Sequence, residues 1–213
     1  MSHTVHRRGP RESFDGDYIV FCMTARGFNQ EGSKYALQDF LRILNKYDLV
    51  NMGDMRTGNM RTVSREEIIA KVQDGSIVHG VFADKEQAKA AIKELREADL
   101  GVCVNISGVI DDVHEMCLDA GVKRHTVEYS VGINGKLSKL PEDDLLEITT
   151  MCGHGMVSHT LVRKVLMDIK RGEISPEQAG ALLATPCVCG IFNPRRAAML
   201  LAQLAELWLC DQE

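Results

Sequence analysis

The chain has 213 residues, 45% of them hydrophobic and 26% charged, with a formal net charge of −5. That is ordinary for a globular chain able to bury a sizeable core, and with no Lys/Arg-rich run beyond His6-Arg7-Arg8 it suggests no nucleic-acid partner. No apolar run reaches the roughly eighteen residues of a membrane span, and the polar N-terminus lacks a signal peptide's apolar heart, so no membrane partner and a cytoplasmic location are expected.

Residues 1–16 are polar and aperiodic and read as a disordered tail. Residues 17–24 form a continuous apolar run, as expected of a buried strand, broken at Ala25-Arg26-Gly27. A helix follows, with Ser33 as its cap and Leu37, Phe40, Leu41 and Leu44 on one face. Residues 50–55 read as a weaker strand and 56–59 as a loop. Ser64-Arg65-Glu66-Glu67 is a capping box opening the next helix. Residues 77–82 are again strand-like, and Asp84 caps an amphipathic helix burying Ala88, Ala91, Ile92 and Leu95. A strand over 101–107, a helix from Asp111 stopped by Gly121, and an alternating strand over 125–131 complete this part. Pro141 to Asp144 start a short, acidic-headed helix.

Strands and helices that alternate in this way predict an α/β fold, with a mostly parallel sheet and flanking helices, over residues 17–140. From Met151 on there is no strand signal, so residues 141–213 are expected to be an all-helical C-terminal subdomain. Its helices carry a stripe of Val157, Leu161, Val165 and Ile169, a start at Ser175-Pro176-Glu177, and a start at Asn193-Pro194 followed by Ala197, Leu200, Leu201, Leu204 and Trp208.

Seven cysteines, an odd number, argue for thiols used as ligands or reagents in a reducing compartment. Three of them lie in two short stretches, Met151-Cys152-Gly153-His154-Gly155 and Pro186-Cys187-Val188-Cys189-Gly190. Each stretch precedes a predicted helix. Near a helix N-terminus a thiol is acidified, and its thiolate serves as nucleophile, base or metal ligand. Cys152, His154, Cys187 and Cys189 are therefore the candidate metal ligands, and Cys152, His154 and Cys189 the candidate catalytic groups. Thiolates with an imidazole suit zinc or an iron–sulfur cluster. No glycine loop matches a nucleotide-binding fingerprint. Cys22, Cys103, Cys117 and Cys210 read as weaker candidates.

Met151 to Gly155 resembles the Met-Cys-Gly-His-Gly motif of the proline racemase family. The resemblance implies a Cys152 that exchanges protons with a substrate α-carbon. The family's second catalytic cysteine stands in a Pro-Cys-Gly context, to which Pro186 to Gly190 is similar apart from an inserted Val-Cys. The likeness covers these two short stretches.

Arg26, Arg56, Asn105 and Ser107 lie at or just after the C-terminal ends of predicted strands, where open α/β sheets bind ligands. Arg195 and Arg196 fall in the first turn of the last helix, where the helix dipole disfavours a cation, and at least one of them is expected to face the cysteines. These six are the candidate substrate-binding residues for a small anionic ligand. The expected function is a cysteine-rich metal site, zinc or iron–sulfur, in an enzyme acting on a small anionic metabolite. The alternatives are a metal-independent racemase or epimerase with a thiol/thiolate pair, and a non-catalytic metal-holding sensor or assembly factor. A homo-oligomer is compatible with all three.

Overall fold

The computed structural model describes residues 4–210, with side chains described as far as Leu207; those of Trp208 and Cys210 lie outside the described residues. Five strands form one sheet: β1 (Tyr18–Met23), β2 (Leu49–Asp54), β3 (Gly58–Asn59), β4 (Val78–Phe82) and β5 (Cys103–Ser107). The strand order is β3-β2-β4-β1-β5 and every neighbouring pair is antiparallel. The expected parallel sheet is therefore wrong, for a topological reason. β1 connects through α1 (Lys34–Leu44) to β2, and β4 through α3 (Lys85–Ala98) to β5. Each connection is a crossover that leaves its two strands pointing the same way. But β4 lies between β1 and β2, and β1 lies between β4 and β5. The two β-α-β units interleave as split units, so each strand's hydrogen-bonded neighbours run against it.

One face of the sheet is covered by α1, α2 (Arg65–Lys71), α3 and α4 (Ile110–Asp119). Val20, Cys22, Met52 and Phe82 point into that layer and pack on Phe40, Leu44, Ile68 and Ile92. Their strand neighbours Ile19, Phe21 and Val81 point the other way, as the two-residue strand period requires. There they meet α5 (Asp143–Thr149), α6 (His159–Lys170), α7 (Pro176–Ala184) and α8 (Pro194–Cys210). The C-terminal helices thus form the second cover of a three-layer sandwich. No helix among the described residues is long and apolar enough to cross a membrane.

Local signals position these helices well. Ser64 accepts a hydrogen bond from the Glu67 amide, Asp84 from the Gln87 amide, and Ser175 and Gln178 form a reciprocal capping box. Ser33 departs from expectation: its hydroxyl donates to the Gln30 carbonyl at 2.7 Å and makes no cap bond. Residues 125–131, expected as a strand, run exposed and unpaired alongside β5. The polar N-terminal segment is not a loose tail over its described residues. It carries a 3-10 turn at Arg11–Phe14 and inserts the Arg7 side chain, 4% exposed, between the sheet and the C-terminal layer.

Candidate functional site

The C-terminal layer consists of two helix–loop–helix units, α5–α6 and α7–α8, and each loop carries cysteine. Cys152 follows the end of α5, with its amide donating to the Thr149 carbonyl at 3.2 Å. Cys187 follows the end of α7, with its amide donating to the Ala184 carbonyl at 3.1 Å. The next helices begin only at Ser158 and Asn193, their caps. The cysteines therefore stand just past helix C-termini and not in first helical turns. The helix dipole there opposes a negative charge, so acidification by a helix N-terminus does not operate.

The fold nonetheless brings the two loops together. Cys152, Cys187 and Cys189 are all reduced and 2%, 0% and 0% exposed, against Ile19, Phe21 and Val81 of the sheet. Their thiols interact in sequence, Cys187 with both Cys152 and Cys189. Cys189 Sγ then meets His154 Nδ1 at 3.7 Å. His154 is exposed, so an imidazole stands between the buried sulfurs and solvent. Backbone N–H groups reach every sulfur: those of Met156 and His154 point to Cys152, Phe192 to Cys187, and Ile191 to Cys189.

This chain ranks the thiols. Cys152 is pushed far up, chiefly because the bond it gives to Cys187 holds its proton, and burial adds to that. Cys187 is drawn down by the bond from Cys152, but its own bond to Cys189 and its burial outweigh this and push it up to about 12. The Cys187 bond, helped by the Ile191 amide and the Arg7 charge, holds Cys189 below the ordinary thiol value against the pull of burial. Any negative charge in the cluster is therefore concentrated on Cys189, the sulfur next to His154.

Long-range contacts hold the loops in place. Arg7 donates to the Met151 carbonyl at 3.1 Å and to the Ile191 carbonyl at 2.5 Å, which ties one cysteine loop to the other. It also pairs with buried Asp17. Asn59 of β3 donates to the Cys187 carbonyl at 2.8 Å and to the Thr185 carbonyl at 3.2 Å. A bulge at Val50 of β2 turns both Val50 and Asn51 toward the helices, where the Asn51 amide donates to the Phe192 carbonyl at 2.8 Å. His79 of β4, 1% exposed, stacks on Phe21 with ring centroids 5.7 Å apart. It pairs in register with Gly53, whose neighbour across the layer is the Cys189 carbonyl. Sequence reasoning missed Arg7, Asn51, Asn59 and His79, because none sits in a motif; only the alternation of β4 placed His79 on the same sheet face as Phe21. Changing Asn59 to Leu is expected to cost about 1–3 kcal/mol in chemical denaturation, since buried carbonyls lose their donor.

The expected anion clamp is dispersed. Arg26 is exposed in the turn after β1, and Arg56 is held by the Gln73 side chain at 3.1 Å and the Asp74 carbonyl at 3.3 Å. Asn105 and Ser107 lie on the edge strand β5 and line a separate cleft. Arg195 is exposed. Arg196 is buried and turned to Asp17 at 3.0 Å, the Arg8 carbonyl at 3.0 Å, Ser13 at 2.9 Å and Glu147 at 3.4 Å. The arginine that reaches the cysteine loops is Arg7. Nor do the sulfurs converge on one point: among the described residues no three His, Cys, Asp or Glu side chains are gathered as ligands of a metal ion. Compared with family models, with curated proteins and with solved structures, the chain shows no match, so the reading of this site rests on its own geometry.

Proposed function

We propose that the paired loops form a soft-metal site, for zinc or an iron–sulfur cluster, with Cys152, Cys187 and Cys189 as thiolate ligands and His154 as the fourth. The observation that carries this is the clustering itself: three buried thiols from two loops, Cys187 interacting with both of the others, with a backbone N–H favouring the thiolate of each. Amide hydrogen bonds favour thiolate over thiol, and three thiols with an imidazole are a soft donor set. Uptake replaces the two S–H···S bonds with metal–sulfur bonds and releases the thiol protons, so affinity rises with pH. Because the sulfurs stand in a chain, side-chain rotation must draw them around the metal. Both loops are held through their backbones, by Arg7, Asn51 and Asn59, which leaves the adjustment to the cysteine side chains.

Burial of the sulfurs and dispersal of the arginines favour a metal-holding role, with any small anionic ligand meeting the metal on the exposed His154 side. The racemase-type alternative has less support. Two bases acting on one carbon stand on opposite sides of it, and these thiols interact with each other instead. The test is metal content after anaerobic purification, with zinc supplied in one preparation and iron plus sulfide in another. A stoichiometric metal or cluster is expected, lost in Cys152→Ser, Cys187→Ser and Cys189→Ser and weakened in His154→Ala. Substoichiometric metal in both preparations, or full retention in Cys187→Ser, would sink the proposal.

A further inference from the structure

β5 is the sheet's outer strand: one edge pairs with β1 and the other is open. Residues 122–130 run past that open edge without joining it, and a cleft of about 830 Å³ lies between them. The volume is in the range of small-molecule sites. Its floor is apolar, formed by Val104 and Ile106 of β5, Ile92 and Leu95 of α3, and Val113 and Cys117 of α4. Its outer wall is the 122–130 segment, which forms no backbone–backbone hydrogen bond from Lys123 to Ser130 among the described residues. A wall held so lightly can move to admit a ligand.

One end of the cleft is cationic. Arg96 lies over the Gly121 turn, where a Cβ on that glycine would stand 3.0 Å from its Nη1. The charge of Arg124 is felt at the Cys117 thiol, which burial pushes up and Arg124 draws partly back. Two guanidinium groups from different elements thus flank the last turn of α4, and both line the cleft. Neither forms an ion pair or hydrogen bond among the described residues. Of the three carboxylates lining the cleft, Asp17 is taken by Arg7 and Arg196, and Asp99 and Glu128 do not pair with Arg96 or Arg124. Elsewhere on α3, by contrast, Lys85 and Lys89 are each paired to two acids. An apolar slot that ends at two arginines without acid partners is complementary to an amphipathic anion.

We propose that this cleft binds a small amphipathic carboxylate, its apolar body along Val104 and Ile106 and its carboxylate between Arg96 and Arg124. Guanidinium groups suit that head because they donate paired, charge-assisted hydrogen bonds to a planar carboxylate. Arg7, which ties the cysteine loops, lines the cleft too, but none of Cys152, Cys187 and Cys189 does, and the proposal is independent of the metal reading.

Dodecanoate, kept below its micelle-forming concentration, is the probe, titrated calorimetrically into the full chain. Saturable one-to-one binding is expected, about tenfold or more tighter than for dodecanol or acetate, each of which lacks half of the recognised chemistry. The Arg96→Ala/Arg124→Ala double variant removes groups without protein partners, so it should keep the parent's unfolding midpoint while losing about tenfold or more in dodecanoate affinity. Cys187→Ser should bind dodecanoate as the parent does, which separates failure here from failure of the metal site. No saturable binding, equal affinity for dodecanol, or undiminished binding by the double variant would overturn the proposal.

Discussion

Asp17→Asn will destabilise the fold by about 3–5 kcal/mol, the cost of leaving buried charge uncompensated. Asp17 and Arg196 have fully buried side chains, and Arg7 is nearly so. One carboxylate therefore serves two guanidinium groups, with Glu147 as a weaker second partner of Arg196 at 3.4 Å. Asparagine keeps the size and an acceptor oxygen but removes the charge, so two cations stay buried against one partial neutraliser. For a chain of this length the midpoint of thermal unfolding should fall by about 2–4 °C per kcal/mol, or roughly 6–20 °C. Burial pulls the Asp17 carboxyl up, but Arg7, Arg196 and the Asn193 amide together hold it below its ordinary value. A carboxyl lowered on folding contributes stability that is fully present above its unfolded pKa and is lost as pH falls through the folded one. The parent protein should lose this contribution only in acid below the usual carboxylate range, and Asp17→Asn should show a flatter acid limb. A variant as stable as the parent at neutral pH would show that the triad contributes nothing net.

The second large effect is expected at Gly190. Its φ is +75°, and a Cβ there would stand 2.5 Å from the Met52 carbonyl carbon and oxygen and 2.6 Å from the Gly53 nitrogen. All three are backbone atoms of β2, which cannot swing away as a side chain would. Gly53 reciprocates: a Cβ on it would lie 2.8 Å from the Cys189 carbonyl oxygen. The Cys189 loop therefore lies on bare backbone. Gly190→Ala adds left-handed strain to a steric clash, for a total of roughly 2–5 kcal/mol, and lifts Cys189 off the sheet. Gly155→Ala is the control, because its φ of +68° brings strain but nothing lies within 4 Å of the new methyl. That variant should lose only about 1 kcal/mol. Equal losses for the two in chemical denaturation would remove the close approach as the cause.

Local signals in this chain were readable and long-range ones were not. Helix caps at Ser64, Asp84 and Ser175 are short-range chemistry, and the structure uses each of them. The alternation of strand and helix was also real, and the strands joined by a helix do run the same way. What it could not show was that another strand lies between them, because strand order is set by which apolar faces fit. The 125–131 segment has a strand's alternation, but no partner edge takes up its hydrogen bonds, so periodicity alone did not make it one. Around the cysteines, residue type marked the two loops, and folding brought them into contact. Their surroundings were hidden. Arg7 looked like part of a polar tail, and Asn59 like a turn residue, because their partners are 184 and 128 residues away. The arginines at 195 and 196 looked poised for an anion, but Arg196 was already matched to Asp17 from the opposite end of the chain.

The bonds from Arg7 to Met151 and Ile191 span 144 and 184 residues and so carry a consequence for biogenesis. A ribosome releases Arg7 well before either cysteine loop, and the Cys152 loop before the Cys187–Cys189 loop. The sandwich cannot close on the sulfurs until the second loop has emerged, and the loop-closure entropy of such distant contacts delays them further. During synthesis Cys152 is exposed without its neighbours, open to oxidants and stray ions. The three thiols meet only once both loops have been made and packed on the sheet, so their cluster is assembled late.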